Sequence, residues 1–369
     1  MRNDLTQAFL MKVLERDDDV AFDSNWRYFQ NMAKYKYDGY QQFAAGMRFI
    51  ERFAIWLAQF EPQDRNTIFE FIKKRLVFVS NEEMNLLVAS CFPDKIKQII
   101  VEAVAAQKQI PTYLLTKITS SDEYKTLLNQ SLFFGLSDGA RTDVFRRANS
   151  GIISHEQIYQ TYELSIERAR KMRSELVKSL TKIHGDKVDK DAKFKNLFLL
   201  DDFSASGNTY LVEKEGVLKG KISALYETIF TDTSILKEIF DVQNLEIHVV
   251  LYIITEQAYK QITSLFRKLK EKYNNEPQLH YMHLIPEDFK LNRETEKTIY
   301  DLCFKEKYYD KDIEDEHTKT SIQLGYSNCS LPLVLAHNCP NNSLSMLWSY
   351  EHCEQFTGLF PRIPRHRVL

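Results

Sequence analysis

The sequence predicts an α/β protein in which a helical N-terminal region is followed by a parallel-sheet domain. Three observations carry this. Up to about residue 130, apolar residues recur every three or four positions, the spacing of one helical face. Beyond it, short apolar runs at Leu132–Phe134, Leu197–Leu200, Ile247–Ile254 and Leu279–Ile285 alternate with helical stretches, the pattern of βαβ crossovers. Finally, 11 Gly and 9 Pro in 369 residues are too few for the many tight turns of an all-β sandwich. The expected division is 1–130 for the helical region and 131–369 for the sheet domain with a C-terminal extension.

In the first region Phe43, Met47, Ile50, Phe53, Leu57 and Phe60 form one apolar stripe, and Ile68, Phe71, Ile72 and Leu76 continue it after Pro62. Ser80 and Glu83 have the spacing of a capping box. With Trp26, Phe43, Phe49, Phe53 and Trp56 so close together, the region is too apolar for a free bundle, and is expected to dock on the sheet domain or on a partner. After Leu132–Phe134, Ser154 and Gln157 are expected to cap a long charged helix ending at His184-Gly185-Asp186. Helices are expected at about 208–230 and 256–273, a charged surface helix or insertion at 292–319, and a further strand at Leu331–Ala336, parallel to Leu197–Leu200.

Composition narrows the function. With 49 basic and 51 acidic residues the net charge is −2, which excludes a polybasic nucleic-acid binder. The 24 Phe and 19 Tyr supply surface to bury, which argues against disorder. Five scattered cysteines without a CxxC pair read as reduced thiols in a cytoplasm. His248, His280 and His283 have no metal-ligand spacing. The first 19 residues show no secretory signal. The charge-free stretch 320–350 is interrupted by Pro332, Pro340 and many Asn and Ser, so it reads as buried chain or a site wall, with no membrane partner.

The run Leu197-Phe198-Leu199-Leu200-Asp201-Asp202-Phe203-Ser204-Ala205-Ser206-Gly207-Asn208-Thr209 carries the chemistry. A buried strand ends in two carboxylates, a small-residue loop follows, and a helix is expected next. Ligands of open α/β sheets bind at the carboxyl ends of the strands. The loop Ser204, Ala205, Ser206, Gly207, Asn208 and Thr209 lets backbone amides, hydroxyls and a helix N-terminus approach a phosphate. Asp201 and Asp202, expected at a solvent-facing strand end, suit sugar hydroxyls or Mg²⁺ held through water. The plain structural reading is a strand ending in a capped turn.

A second loop, Ser137-Asp138-Gly139-Ala140-Arg141, follows Leu132–Phe134, with Arg146 and Arg147 beyond it. Gly139 permits a tight turn and the arginines supply positive charge. A surface turn before a basic helix has the same pattern. Near the C-terminus, His337, Asn338, Asn341, Asn342 and Trp348 form an Asn-rich turn with an aromatic behind it. It reads as backbone capping or, if Leu331–Ala336 joins the main sheet, as an acceptor-base pocket beside Asp202.

The thirteen residues Leu197–Thr209 resemble the phosphoribosyl-pyrophosphate signature of type I phosphoribosyltransferases, where four apolar residues precede two acids and a small hydroxyl-rich loop. The resemblance implies a type I phosphoribosyltransferase-like sheet domain, with Asp201 and Asp202 as catalytic and Mg²⁺-associated residues facing the ribose. It places Ser204–Thr209 around the 5′-phosphate and Ser137–Arg141 around pyrophosphate. The donor is then phosphoribosyl pyrophosphate or a related nucleotide.

The order of Phe133-Phe134-Gly135-Leu136-Ser137-Asp138-Gly139-Ala140-Arg141, the Asp201–Thr209 loop, His337–Leu344 and Leu359–Arg365 resembles, over about 130–365, the phosphoribosyltransferase-like family of bacterial conflict systems, including retron-associated effectors. That resemblance implies a cytoplasmic toxic effector in anti-phage defence, restrained by a protein or nucleoprotein partner such as a reverse transcriptase–RNA/DNA complex. The stretch 154–195 departs from the salvage enzymes, which carry a flexible catalytic loop there, and this argues against ordinary base salvage. Two alternatives stand beside the enzyme: a catalytically inactive nucleotide-sensing or partner-binding module, and a structural member of a nucleoprotein complex that uses the helical half as its contact surface.

Overall fold

The computed structural model describes residues 3–16, 20–160, 165–189, 191–230, 235–314 and 322–363. Two compact units emerge: Met1–Glu83 together with Pro286–Leu369, and Met84–Ile285. Their limits differ from a single division at residue 130. Residues 84–130 fold with the sheet, and the chain from 286 onward folds with the N-terminal helices.

The first unit is built on aromatic packing. Helices Val20–Tyr35, Phe49–Ala58 and Pro62–Arg75 turn Phe29, Phe49, Phe53, Trp56 and Phe69 into one buried cluster. Pro62 opens its helix at a position where the missing N–H costs nothing. Strand β1 (Val77–Val79) pairs in parallel with β9 (Leu333–Leu335) as an isolated two-stranded sheet. This corrects the expectation that Leu331–Ala336 joins the main sheet.

The charge-free segment is the missing half of this core. Leu344, Met346, Leu347 and Trp348 are buried in it, and Phe360 stacks on Phe43 and Phe49 at 5.7 and 5.6 Å. Trp56 Nε1 donates to the Met346 carbonyl at 3.0 Å, and the Tyr40 hydroxyl to Phe360 O at 3.1 Å. The buried Arg52 holds Gly358 O at 2.6 Å and Glu351 at 2.8 Å. The N-terminal aromatics are thus covered by the C-terminal part of their own unit. The charged stretch expected as surface from 292 holds the helix Lys297–Cys303, whose Ile299, Leu302 and Cys303 are buried. Residues 315–319 of that expectation lie outside the described residues.

The second unit holds a five-stranded parallel sheet in the order β3-β2-β4-β7-β8. The strands are β2 (Ser131–Gly135), β3 (Ile158–Tyr159), β4 (Asn196–Ser204), β7 (Glu246–Thr255) and β8 (Gln278–Ile285). Side chains alternate along a strand. Leu197, Leu199, Val249 and Leu251 therefore share a core with helices Ile166–His184, Lys221–Phe230 and Glu256–Tyr273. Phe198 faces the other side, where it stacks on Phe133 at 5.3 Å and on His248 at 4.7 Å.

Two local expectations change. Ser154 and Gln157 do form a capping box, but on one turn of 3₁₀ helix leading into β3. The long helix starts at Ile166, capped by Ser165, and ends at Gly185 with φ +64°. The expected helix at 208–230 is a turn, then a hairpin of β5 (Val212–Lys214) and β6 (Val217–Lys219), then the helix Lys221–Phe230. No helix among the described residues is long and apolar enough to cross a membrane.

Candidate active site

β4 lies in the middle of its sheet, and its carboxyl end carries both acids. Because the strand continues to Ser204, two consecutive residues must point to opposite faces. Asp201 follows the parity of Leu197 and Leu199. It is fully buried, which corrects the expectation of a solvent-facing end for this residue.

Four donors saturate the Asp201 carboxylate. Ser137 Oγ and the Asp202 amide (3.2 Å) donate to Oδ1, while the Tyr210 hydroxyl (2.8 Å) and Lys221 Nζ (2.7 Å) donate to Oδ2. Burial and the neighbouring charge of Asp202 push the Asp201 pKa up, against Lys221 and Ser137, which pull it down. Burial and the two carboxylates also raise the Tyr210 hydroxyl far above the ordinary tyrosine range, so it stays a donor. Asp201 therefore ties together the loop after β2, the turn after β4 and the helix that starts at Lys221.

Asp202 points the other way and is partly exposed. Its carboxylate lies over Gly139, where an added Cβ would meet Oδ2 at 2.3 Å and Cγ at 2.5 Å. The loop Ser137–Arg141 is held by Leu136 N on Leu200 O at 2.9 Å. From beneath, the buried Tyr252 hydroxyl donates to Ala140 O at 2.7 Å. Asp138 is exposed at the crest of the loop. Arg141 adopts a left-handed conformation, φ +47°, and reaches Asn85 Oδ1 at 2.9 Å. Arg146 and Arg147 stand in the next helix, where Arg147 pairs with Asp143 at 2.8 Å on the surface.

The turn after β4 is shaped by close contact. Gly207 has φ +79°, and a Cβ there would meet Ala258 O and Ile262 at 3.1 Å, so any side chain would press on the helix Glu256–Tyr273. Thr255, the cap of that helix, donates to Ala205 O at 2.5 Å. Gly207 O accepts from Tyr210 N and Leu211 N, and Asn208 N reaches Ser206 Oγ at 3.4 Å. Among the described residues, no hydrogen-bond partner is found for the amides of Ser206, Gly207 and Thr209. Ser204, Ala205 and Ser206 are buried, Asn208 is half-buried and Thr209 is exposed. The helix expected to aim its N-terminus at this turn begins only at Lys221, so the available donors are amides and hydroxyls.

The sequence pattern missed Tyr210, Lys221, Thr255 and Tyr252. Only Thr255 carries a local signal, a helix cap directly after an apolar strand. Tyr210 directly follows the motif without a signal of its own, and Lys221 and Tyr252 reach the site through the hairpin and the sheet register.

The Asn-rich turn belongs to the first unit. Gln42 Nε2 donates to His337 O at 2.8 Å, and Asn341 O accepts from Tyr326 N at 2.8 Å. Asn342 Nδ2 donates to Tyr326 O at 3.1 Å and to Cys329 Sγ at 3.4 Å. Trp348 is buried and donates to Ser343 O at 2.9 Å. The Asn338 amide oxygen is buried with no partner among the described residues. Asp202 lies on the five-stranded sheet, whereas β9, the strand leading into this turn, pairs with β1 outside it.

An all-parallel sheet with two glycine-containing loops and an acid at the carboxyl ends of its inner strands defines an α/β protein with its loops gathered at the edge where ligands of such sheets bind. The family model PRTase-CE matches residues 53–362, and the chain belongs to this phosphoribosyltransferase-like effector family. No curated protein and no solved structure matches it.

Proposed function

We propose that the second unit binds a phosphorylated ribose and acts at its C1′. One observation carries the reading: at the carboxyl ends of β2 and β4, Asp202 is flanked by the Gly139 loop and by a turn whose Ser206, Gly207 and Thr209 amides have no partner among the described residues. In this reading the 5′-phosphate sits on the amides and hydroxyls of 204–209, and pyrophosphate lies along Ser137–Arg141. Asp202 accepts from a ribose hydroxyl. The C1′–O bond to pyrophosphate breaks with its electrons going to oxygen. A new bond forms from C1′ to an acceptor nitrogen or to water, which then loses its proton. Fixed donors at the leaving group and precise seating of the ribose are what this chain supplies.

Asp202 fits Mg²⁺, because that ion takes one or two carboxylates and fills its shell with water and substrate oxygens. Among the described residues no cluster of three or more His, Cys, Asp or Glu side chains could hold an ion alone, which suits an ion arriving with a diphosphate. When bound, it would neutralise the leaving pyrophosphate.

At the level of the cell we extend the reading, on the family's effector character, to a cytoplasmic toxic effector in anti-phage defence of the retron type. A protein or nucleoprotein partner, such as a reverse transcriptase with its RNA and DNA, restrains it. A second reading is a nucleotide sensor without turnover, favoured by the saturation of Asp201, which leaves one carboxylate to meet the ribose.

The test is pyrophosphate release from phosphoribosyl pyrophosphate, or base release from nucleotides, by the purified chain with Mg²⁺. Release that falls at least about a hundredfold in Asp202→Asn supports the enzyme. A ligand-induced rise in Tm without turnover supports the sensor. Neither effect, across both donor classes, overturns the site.

A further inference from the structure

We propose that β8 is the interface of a two-fold dimer, in which the β8 strands of two copies pair antiparallel and join two five-stranded sheets into one. This inference does not depend on the nucleotide reading.

β8 closes the sheet on one side and, among the described residues, pairs only with β7. In a parallel strand, alternate residues direct both N–H and C=O to the same side. About half of the eight residues of Gln278–Ile285 therefore offer an unpaired amide and carbonyl at the open edge. Proteins blunt such edges with lysine, proline, bulges or brevity. The opposite edge uses brevity, since β3 has two residues. Pro277 and Pro286 bound β8, but none of these devices lies within its eight residues. Its sequence Gln-Leu-His-Tyr-Met-His-Leu-Ile has no Asp, Glu, Lys, Arg or Pro. Its register with β7 holds one offset from His248↔Gln278 to Thr255↔Ile285, without a bulge.

The side chains fit the same conclusion. Leu279, Tyr281 and Leu284 are only partly covered by the core beneath them. Tyr281 lies edge-on to Tyr259 at 5.8 Å, and His280 packs beside His248 on the other face at 3.2 Å between ring nitrogens.

The occupant is a second copy for reasons of charge and length. In an antiparallel pair centred on the strand, Leu279 faces Leu284, His280 faces His283 and Tyr281 faces Met282 of the other copy, so no like charges, which would be unfavourable, stand opposite each other. The one acid shortly before it, Glu276, is neutralised by Lys270 at 3.0 Å. The other sheet edge, at two residues, is too short to cover eight. A head-to-tail chain through β3 would leave most of β8 open, whereas a two-fold axis normal to the sheet covers both edges at once.

Light scattering on the full chain between low- and high-micromolar concentration tests this. The expected result is a dimer for the native sequence. In Met282→Lys and in Met282→Glu dissociation should strengthen by about tenfold or more, and an equimolar mixture of the two should recover the dimer by opposite charge. If either variant fails to fold, amide exchange on the native chain decides, with protection of the outward β8 amides expected to rise with concentration. A native monomer throughout, a dimer unmoved by both substitutions, or exchange in β8 independent of concentration overturns the proposal.

Discussion

The carboxylate of Asp202 rests on Gly139, with no room for a methyl group between them. The acid of one strand and the loop of its neighbour thus set each other's position. Gly139→Ala is expected to push the carboxylate out of place while leaving the buried face of the sheet intact. The expected loss of stability is about 1 kcal/mol by urea unfolding, with pyrophosphate or base release down about tenfold or more. Wild-type rates in a folded variant would show that the carboxylate's position does not matter.

Asp201 and Asp202 are expected to separate cleanly. Asp201→Ala leaves Lys221, whose side chain is 24% exposed, and the buried Tyr210 hydroxyl without their acceptor. Breaking one side of a largely buried pair costs about 3–5 kcal/mol. Asp202→Asn, on a partly exposed side chain, should stay within about 0.5 kcal/mol of the native chain. Equal losses from the two would contradict the geometry.

The Asp201–Lys221 pair gives a further expectation. Replacing both partners, as Asp201→Asn with Lys221→Met, should recover much of the stability lost in Asp201→Ala, since neither charge is then left alone. A double variant no more stable than the single one would mean that the ion pair is not the source of the loss.

Burial, with His248 and Lys95 nearby, lowers the His280 pKa from 6.5 to about 4. The unfolded chain therefore binds a proton first as the pH falls, and folding loses stability between about 6.5 and 4. Above that window the contribution is fully present. In His280→Gln the slope of stability against pH between 6.5 and 4 should be shallower, as read from urea midpoints at half-unit steps.

Asn342→Ala removes two side-chain donations inside the first unit. It should cost about 1 kcal/mol and lower Tm while nucleotide turnover stays unchanged. Altered acceptor preference with unchanged Tm would instead restore the pocket reading.

Much of the second unit was legible because its strands are continuous apolar runs closed by polar loops. Leu197–Leu200 and Ile247–Ile254 carry that signal in full. The hairpin β5–β6 was not, since it turns at Glu215-Gly216, both at positive φ, without the Asn-Gly or Asp-Gly pair that marks such turns. The pairing of β9 with β1 was illegible for another reason. A three-residue apolar strand fits any sheet, and its partner lies more than 250 positions upstream. At the site, the pattern located both acids, yet only their parity on a longer strand separates a buried anchor from an exposed carboxylate.

The first unit draws its core from both ends of the sequence, and this sets an order of events during synthesis. At about 5–20 residues per second, the aromatic helices before Glu83 leave the ribosome tens of seconds ahead of the segment that covers them. The sheet between can close in that interval, because every strand it needs is already made. The N-terminal aromatics spend the same interval without the C-terminal residues that complete their core. A chain halted before Trp348 would never cover them.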